Sequence, residues 1–382
     1  MKVLHIAPSY YPATYWGGPI FSVYALNNAL ACLPDVSLAV LTTDSAGPQR
    51  EDRLDRSRLR GLYPNQEVIV TRRVAGASVS FELLRKLPGL LRRADVVHLT
   101  ATYSFPTIPT ILLCRLFDKP LVWSPRGAIQ DAHEWVGTSR RGLKRAWERL
   151  CNALVRPDRM IAHTTSERER NATQQRLPRV RSVVIPNGVQ VPTTPMPRDW
   201  LPHGRLRLMY LGRLSPKKGI ENLLEAMCLV KDAGVVLTIH GAGDADYTAQ
   251  LQRLAGRLGL LQSAVVFAGQ VDGEAKVAAF AAADLCIVPS YTENFCMVVA
   301  EALAHGVPVI ASRGTPWQAL EEKHCGLWVE NGPEDLAQAI GKIRDMDLAE
   351  MGARGRDWMR SEFSWHARAE EMRGLYHALL AR

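Results

Sequence analysis

The chain has 382 residues, which is too long for one typical domain and suits two domains of roughly 190 residues. A hydrophobic content of 47% with 22% charged residues is typical of a soluble globular protein, and the absence of a long apolar run excludes a membrane span. The net charge of +9 is uneven, because residues 1–190 carry 27 Lys and Arg against 15 Asp and Glu. This imbalance predicts an anionic partner for the first half.

The cysteines and the first residues predict a cytoplasmic protein. No two cysteines form a C-x-x-C pair, and most lie in apolar runs, so we expect buried free thiols in a reducing compartment. The chain begins directly with a strand and without the apolar core of a signal peptide. The seven cysteines are Cys32, Cys114, Cys151, Cys228, Cys286, Cys296 and Cys325.

The first half alternates short apolar strands with helical patterns. A strand at residues 3–7 is followed by a loop rich in Pro, Tyr and Gly and by a helix that starts near Pro19. This alternation with short connections predicts a parallel, doubly wound sheet. Further strands are predicted at residues 36–41, 68–72, 95–99, 121–124, 160–163 and 180–185.

A domain boundary follows, because five prolines lie between Pro186 and Pro202 with few apolar residues among them. The alternation then restarts. The expected fold class is α/β, with two Rossmann-like domains that face each other across a cleft: residues 1–190, residues 191–362 and a terminal helix at 363–382 that packs back on the first domain. The strands of the second domain are predicted at residues 206–211, 235–240, 264–268, 285–288, 307–311 and 326–329.

The stretch from Val288 to Ser312 joins two predicted strands through a polar loop and an Ala-rich helix that starts near Phe295. Ligands bind at this end of the strands in open α/β sheets. Glu293 lies in the loop, and Glu301 follows eight residues later, a step of about 800° and about 12 Å along a helix. The two carboxylates therefore hold different parts of one extended ligand, or they are surface groups in solvent.

Two strand ends carry positive charge. Arg213 and Lys218 lie between a strand and a helix of the second half, where both cations and the helix N–H groups could converge on one anion. The alternative is a basic turn in solvent.

Arg126, in W-S-P-R-G, closes a first-half strand and is a candidate ligand for a phosphate or an acidic sugar. His133 follows it as a second candidate, and no G-x-S-x-G elbow supports a hydrolase triad.

Glycines mark two further turns. Gly17 and Gly18 precede the first helix without forming a G-x-G-x-x-G fingerprint, and Gly241 and Gly243 follow the second strand of the second domain. Such glycines permit close approach of a ligand or simply form a tight turn. Asp244 is predicted to cap a helix. No cluster of His, Cys, Asp and Glu has metal-ligand spacing, so we expect no metal site.

Two segments, residues 79–93 and 140–154, read as basic amphipathic helices, the first interrupted by Pro88. Their apolar faces pack on the core with the cations in water, or their surfaces bind anionic lipid headgroups. Nucleic acid is the competing anion, but no nucleic-acid motif accompanies the charge.

Taken together, these motifs resemble the retaining GT-B glycosyltransferases of glycosyltransferase family 4, the group 1 glycosyltransferases. The resemblance implies a GT-B fold and transfer of a sugar from a nucleotide-diphosphate donor to a hydroxyl group, with retention and without a metal or other cofactor. It is carried by I-P-N-G-V (185–189), G-R-L-S-P-K-K-G (212–219), P-S-Y-T-E-N-F (289–295), E-A-L-A-H-G-V-P-V-I (301–310) and F-S-W (363–365).

The resemblance also implies roles for individual residues. Arg213 and Lys218 would hold the diphosphate, Glu301 the ribose, and Glu293 the donor sugar. The rest of the implied donor-binding set comprises Gly17 and Gly18 at the diphosphate, Gln270 and Val271 around the base, the backbone of Asn294, Phe295, Cys296 and Met297 at the sugar, and Asn187, Gly241 and Gly243.

The chain departs from the family pattern at two places. Cys296 stands where many relatives have Gly, and S-P-R-G stands at the strand end that often carries a catalytic-site His. Arg126 would replace that His, or His133 would supply it, so the catalytic residue of the first domain has two candidates.

The basic first domain, the expected location and the resemblance together predict a peripheral enzyme on the inner face of the plasma membrane. It would use a UDP- or GDP-sugar to extend a lipid-linked glycan for O-antigen, capsule or exopolysaccharide. The alternatives are a sugar-nucleotide 2-epimerase on the same scaffold and a non-catalytic protein that binds anionic lipid or nucleic acid.

Overall fold

The computed structural model divides the chain into two compact units. Unit 1 comprises Met1–Gly188 and Trp365–Arg382, and unit 2 comprises Val189–Ser364. The last helix of the chain therefore belongs to unit 1. The structure describes residues 1–47, 49, 51–59, 61–129, 141–230, 234–261 and 263–382.

Unit 1 is built on a seven-stranded, all-parallel sheet in the order β3-β2-β1-β4-β5-β6-β7. This order turns at β1, as in a doubly wound sheet. The strands are β1 Lys2–Ile6, β2 Ser37–Thr43, β3 Glu67–Thr71, β4 Val96–Thr100, β5 Leu121–Ser124, β6 Met160–Thr164 and β7 Arg181–Val184, and the helices are α1 Gly18–Ala31, α2 Phe81–Arg93, α3 Thr107–Leu116, α4 Arg141–Leu154 and α5 Glu167–Arg176.

Unit 2 repeats the architecture with a six-stranded, all-parallel sheet in the order β10-β9-β8-β11-β12-β13. Its strands are β8 Leu206–Leu211, β9 Val235–His240, β10 Val265–Gly269, β11 Leu285–Val288, β12 Val309–Ser312 and β13 Gly326–Val329. The helices are α6 Ile220–Leu229, α7 Ala245–Arg257, α8 Gly273–Ala281, α9 Met297–Ala304, α10 Ala319–Glu322, α11 Pro333–Arg344 and α12 Leu348–Glu362, and α13 Trp365–Leu380 returns to unit 1.

The expected fold class and every strand predicted from the sequence are confirmed, with ends shifted by at most two residues. The predicted interruption at Pro88 is wrong, because α2 runs through it. An interior proline costs about 3 kcal/mol. Leu83, Leu87 and Leu91 lie on both sides of Pro88 and are fully buried against the sheet, and their packing keeps the helix continuous.

Helix α12 was not predicted. Its apolar side is interrupted by Gly352 and Gly355, which hides the helical period. These glycines let α12 lie close to α9, since a Cβ atom at Gly352 would stand 2.2 Å from the backbone oxygen of Gly306.

All seven cysteines are free, and five of them are buried, whereas Cys32 and Cys228 are exposed and depart from the expectation. Within the described ranges, no helix is both long and apolar enough to cross a bilayer.

A directed hydrogen-bond chain ties α13 to the centre of the unit 1 sheet. The hydroxyl of Tyr376 donates to Nδ1 of His98 (2.6 Å), Nε2 of His98 to Oγ of Ser124 (2.6 Å), and Ser124 to Nδ1 of His163 (2.7 Å). Nε2 of His163 donates to the backbone oxygen of Ile185 (2.9 Å). Because a carbonyl oxygen only accepts, this last bond fixes the direction of the whole chain.

The histidines of this core are held neutral. His5 stacks on His98 with ring centroids 4.2 Å apart. Burial lowers the pKa of His5 and of His163 to about 3 and lowers the pKa of His98 well below its usual value. The unfolded chain therefore binds protons more readily than the folded one below about pH 6.5.

We predict that acid destabilises unit 1 through these histidines. Stability is fully present above about pH 6.5 and falls as the pH is lowered toward 3, by about 1.4 kcal/mol per pH unit for each histidine. Thermal denaturation between pH 7.5 and 5 measures this slope. His163→Gln should flatten it, whereas His366→Gln, at an exposed position, should not. Equal slopes in all three proteins would contradict the prediction.

Candidate functional site

Three loops meet at the carboxyl end of the unit 2 sheet. The backbone N–H of Tyr291 donates to the oxygen of Lys217 (2.9 Å), and that of Glu293 donates to the oxygen of Gly314 (2.9 Å). Gly219 has a φ of 62° and precedes α6. A Cβ atom there would stand 2.2 Å from the backbone oxygen of Pro289. Only glycine fits this position, and it brings the loop with Lys218 against the loop with Glu293.

Lys218 and Glu293 form an ion pair where these loops meet. Nζ of Lys218 donates to Oε1 of Glu293, which also accepts from the hydroxyl of Ser290 at 2.8 Å. The two side chains are only 18% and 13% exposed. Burial alone would lower the pKa of Lys218, but the charge of Glu293 raises it above its ordinary value. Glu293 is therefore a nearly buried, paired group and not a loop carboxylate in solvent.

Arg213 lies on the same loop, exposed, at the end of β8. Its charge acts against the protonated form of Lys218, so the structure brings the two predicted cations together. The loop is held in place by the hydroxyl of Tyr210, which donates to the backbone oxygen of Arg213 at 3.0 Å. The basic strand end thus concentrates positive charge.

Glu301 has a lysine of its own. Nζ of Lys276, on α8, donates to Oε1 of Glu301, on α9, at 2.6 Å, and both side chains keep some contact with solvent. Gln270 and Val271 precede α8 at the same end of the sheet, and Nε2 of Gln270 donates to Oδ2 of Asp272 at 3.0 Å. The two glutamates are therefore held separately, each by a different lysine.

Helix α9 begins at Met297, two residues later than predicted. Cys296 precedes it with a φ of 66°, in the left-handed region. Phe295 is buried against Trp317, whose Nε1 donates to the backbone oxygen of Phe295 at 2.6 Å. Burial and then the charge of Glu293 raise the pKa of Cys296 well above its usual value. Phe295 and Cys296 therefore belong to the core, and Asn294 precedes them in the loop.

The structure favours the tight-turn interpretation of Gly241 and Gly243. A Cβ atom at Gly241 would stand 1.8 Å from the oxygen of Gly212, and one at Gly243 would stand 2.0 Å from that of Leu214. These glycines let the β9 loop pack on the loop that carries Arg213. Asp244 caps α7 as predicted, accepting from the N–H groups of Asp246 (3.0 Å) and Tyr247 (3.2 Å).

In unit 1, Gly17 and Gly18 begin α1. Gly17 has a φ of 72°, and a Cβ atom at Gly18 would meet nothing within 4 Å. The space beside Gly18 is therefore open, so packing does not explain why this residue is a glycine.

Arg126 is half-buried and has a strained backbone. Its φ is 54°, and its Nη1 donates to Oδ1 of Asn187 at 2.5 Å. Burial lowers the pKa of Arg126 to about 10, so it stays charged at neutral pH. Within the described ranges, Nε and Nη2 of Arg126 are buried without a hydrogen-bond partner. His133, the other candidate for the first domain, lies outside the described residues.

Lys276 and Ser290 were missed from the sequence. Lys276 lies 25 residues before Glu301, and no local pattern links them. Ser290 lies within P-S-Y-T-E-N-F (289–295), but the motif assigned no role to it. In the part of the chain that the structure describes, no three His, Cys, Asp or Glu side chains group as metal ligands do.

The two Rossmann-like units, with the last helix belonging to the first, define the GT-B class. Solved structures agree: sucrose-phosphate synthase from Thermosynechococcus elongatus superposes with a TM-score of 0.74 at 22% identity, covering 100% of this chain and 99% of that one. Anabaena Alr3699/HepE in complex with UDP and glucose gives 0.75 at 18% identity, covering 99% and 100%. At these identities the likeness concerns the fold alone.

Sequence comparison gives the family. Residues 16–191 match the family model described as Glycosyltransferase Family 4, and residues 205–345 match that of Glycosyl transferases group 1. The chain belongs to the group 1 glycosyltransferases of glycosyltransferase family 4.

Curated relatives support this membership. The chain is 33% identical over 247 residues to a GDP-mannose-dependent alpha-mannosyltransferase of Mycolicibacterium smegmatis, covering 62% of this chain and 61% of that protein. It is 35% identical over 181 residues to a D-inositol 3-phosphate glycosyltransferase of Corynebacterium jeikeium, covering 44% and 43%. The chain thus spans about half the length of the curated relatives that it matches.

Proposed function

We propose that the protein is a retaining glycosyltransferase that moves a sugar from a nucleotide-diphosphate sugar to a hydroxyl group of a glycan acceptor. The observation that carries the proposal is the ion pair of Lys218 and Glu293 where three loops of unit 2 meet. A nearly buried cation beside a second cation suits a diphosphate, and the carboxylate beside it suits sugar hydroxyls. Family membership supports the same reaction.

Donor binding would exchange the partners of this pair. Nζ of Lys218 would move from Glu293 to a phosphate oxygen, and Oε1 of Glu293 would then accept from a hydroxyl of the donor sugar. Arg213 and Lys218 would stabilise the negative charge that develops on the leaving diphosphate. With two cations in this role, we propose that the reaction requires neither a metal ion nor another cofactor.

The second pair would bind the nucleoside. Glu301, whose Oε1 is held by Lys276, has its other carboxylate oxygen for the ribose hydroxyls. Gln270 and Val271 would lie against the base, and the backbone N–H groups at the start of α9, from Met297 onward, would support the sugar.

Names of similar proteins support a UDP- or GDP-sugar as the donor. Anabaena Alr3699/HepE has been solved with UDP-glucose, and the mycobacterial relative is named for its dependence on GDP-mannose. The acceptor would be a lipid-linked glycan in the synthesis of bacterial O-antigen, capsule or exopolysaccharide. The fold is shared with WaaG, which is described as involved in lipopolysaccharide biosynthesis (TM-score 0.67, 16% identity).

We also propose that unit 1 binds an anionic membrane from the cytoplasmic side. Helices α2, α3 and α4 pack side by side on one core. The surfaces of α3 and α4 expose Leu116 (65%), Leu143 (63%) and Leu150 (47%). Packing on the core does not explain why leucines stand at these exposed positions. The residues that α4 buries in unit 1 are Glu148 and Cys151.

Charge on the same surface selects anionic lipid. Arg115, Arg145 and Arg149 are exposed among the leucines, and Glu148, the one acidic residue of α4, is buried in a bidentate pair with Arg176. Exposed leucines beside arginines are typical of interfacial helices and contribute nothing to binding of nucleic acid.

Replacing Lys218 tests the donor site. Lys218→Ala should lower kcat at least about 100-fold and weaken UDP binding, because the charge facing the diphosphate is lost. Lys217→Ala, at the exposed neighbouring position, should keep most of the activity. Release of UDP or GDP from a panel of donors, measured with and without acceptor, gives the rates. Isomerised donor without transfer, or equal rates in both variants, would contradict the proposal.

Replacing the exposed leucines tests the membrane surface. Leu143→Ser with Leu150→Ser should weaken binding to phosphatidylglycerol vesicles at least about tenfold, since each leucine contributes about 1.5 kcal/mol or more on burial. Leu229→Ser is the matched control, because Leu229 of unit 2 is 47% exposed, like Leu150. Co-sedimentation measures both. Wild-type binding by the double variant would refute the assignment.

A further inference from the structure

Unit 1 contains a cavity of about 490 Å³ at the carboxyl end of its sheet. Its lining residues follow β1, β4 and β5 and include the first turn of α1. This is the edge at which open α/β sheets bind ligands, and the volume is that of a small-molecule site. None of the donor contacts proposed for unit 2 involves it.

The cavity has one charged side chain among its described lining residues, that of Arg126. Its Nε and Nη2 lack a hydrogen-bond partner within the described ranges. The negative charge of Glu169 acts on Arg126, but the Glu169 carboxylate accepts from the N–H groups of Gly127 and Thr165 and from the hydroxyl of Thr165. A buried guanidinium with two unused donors is costly unless an anion engages it.

Three helices also begin at the cavity. Pro19 and Ile20, in the first turn of α1, line it, as do Val79 and Phe105, two residues before α2 and α3 respectively. The N-terminus of a helix carries a partial positive charge and favours an anion. Arg126 and these three helix N-termini therefore all favour an anion in the cavity.

The walls are largely apolar. Ile20, Val23, Val79, Phe105 and Pro125 line the cavity, while two of its hydroxyls are engaged inside the protein. Oγ1 of Thr100 bonds to Nε2 of His5 (2.8 Å), and Oγ of Ser78 accepts from the N–H of Phe105 (3.3 Å). Oγ1 of Thr102 is the hydroxyl of the lining that is buried without a partner among the described residues. Such walls suit an apolar segment better than a bare sugar ring, most of whose hydroxyls would lose water without replacement.

We infer that this cavity binds the acceptor, and that the acceptor carries a phosphate group, contacted by Arg126, next to an apolar segment that lies against Ile20, Val23 and Phe105. The identification of the ligand as the acceptor rests on the proposed function. The argument for a phosphate group beside an apolar segment does not. A lipid phosphate has such an apolar segment beside its phosphate, whereas a soluble sugar phosphate does not.

Binding of simple probes to the full chain tests the inference. Calorimetric titrations with n-octyl phosphate below its micelle concentration, inorganic phosphate, glucose 6-phosphate and n-octyl glucoside are made in saturating UDP. Octyl phosphate should bind at least tenfold more tightly than inorganic phosphate and octyl glucoside. Tighter binding of octyl phosphate than of glucose 6-phosphate supports the apolar segment, and the reverse order would overturn it.

Variants locate the binding. In Arg126→Gln, octyl phosphate should no longer bind more tightly than octyl glucoside, and Arg126→Lys should keep part of this difference in affinity. Ala77→Trp, at an exposed position in the lining, should block the cavity with Arg126 intact. The Leu143→Ser, Leu150→Ser variant should bind octyl phosphate like the wild type, which separates the cavity from the membrane surface. Melting curves verify that each variant is folded.

Unchanged affinity in folded Arg126→Gln, or displacement of octyl phosphate by UDP, would overturn the inference. Failure of the proposed function is a different result: wild-type protein would then leave every nucleotide sugar unconsumed, and Lys218→Ala would bind UDP like the wild type.

Discussion

The ion pair between Lys218 and Glu293 is the interaction on which the unit 2 site depends. Each of these nearly buried charges is compensated only while its partner is present. Removing one partner of such a pair typically lowers the free energy of unfolding by about 3–5 kcal/mol, because it leaves an uncompensated buried charge. Gly219 makes the pair possible, because any side chain there would push the Lys218 loop off the oxygen of Pro289. An anion that binds Lys218 would therefore have to replace Glu293 as its partner.

The two units present positive charge in different ways. In unit 2, Lys218 and Lys276 each have a glutamate, so a ligand must compete with an existing partner. In unit 1, Arg126 is bound through one nitrogen to Asn187, with its two other nitrogens lacking described partners. An anion at Arg126 would instead meet donors that no described group uses.

Much of the fold could be predicted because parallel strands buried on both faces are short continuous apolar runs, as at Leu285–Val288. Pro88 and α12 were misjudged because packing overrides local propensity. In the site, Glu293 and Lys218 lie within recognisable motifs, so their roles could be proposed from the sequence. Their direct pairing, the partnership of Lys276 with Glu301 and that of Arg126 with Asn187, 61 residues apart, are tertiary contacts that no local pattern encodes.

A crystal structure with a bound UDP- or GDP-sugar tests the central claim most directly. It should show the diphosphate at the end of β8, with Nζ of Lys218 within hydrogen-bond distance of a phosphate oxygen and Glu293 released to the hydroxyls of the donor sugar. Nucleotide density elsewhere in the protein, with Lys218 still bonded to Glu293, would contradict it.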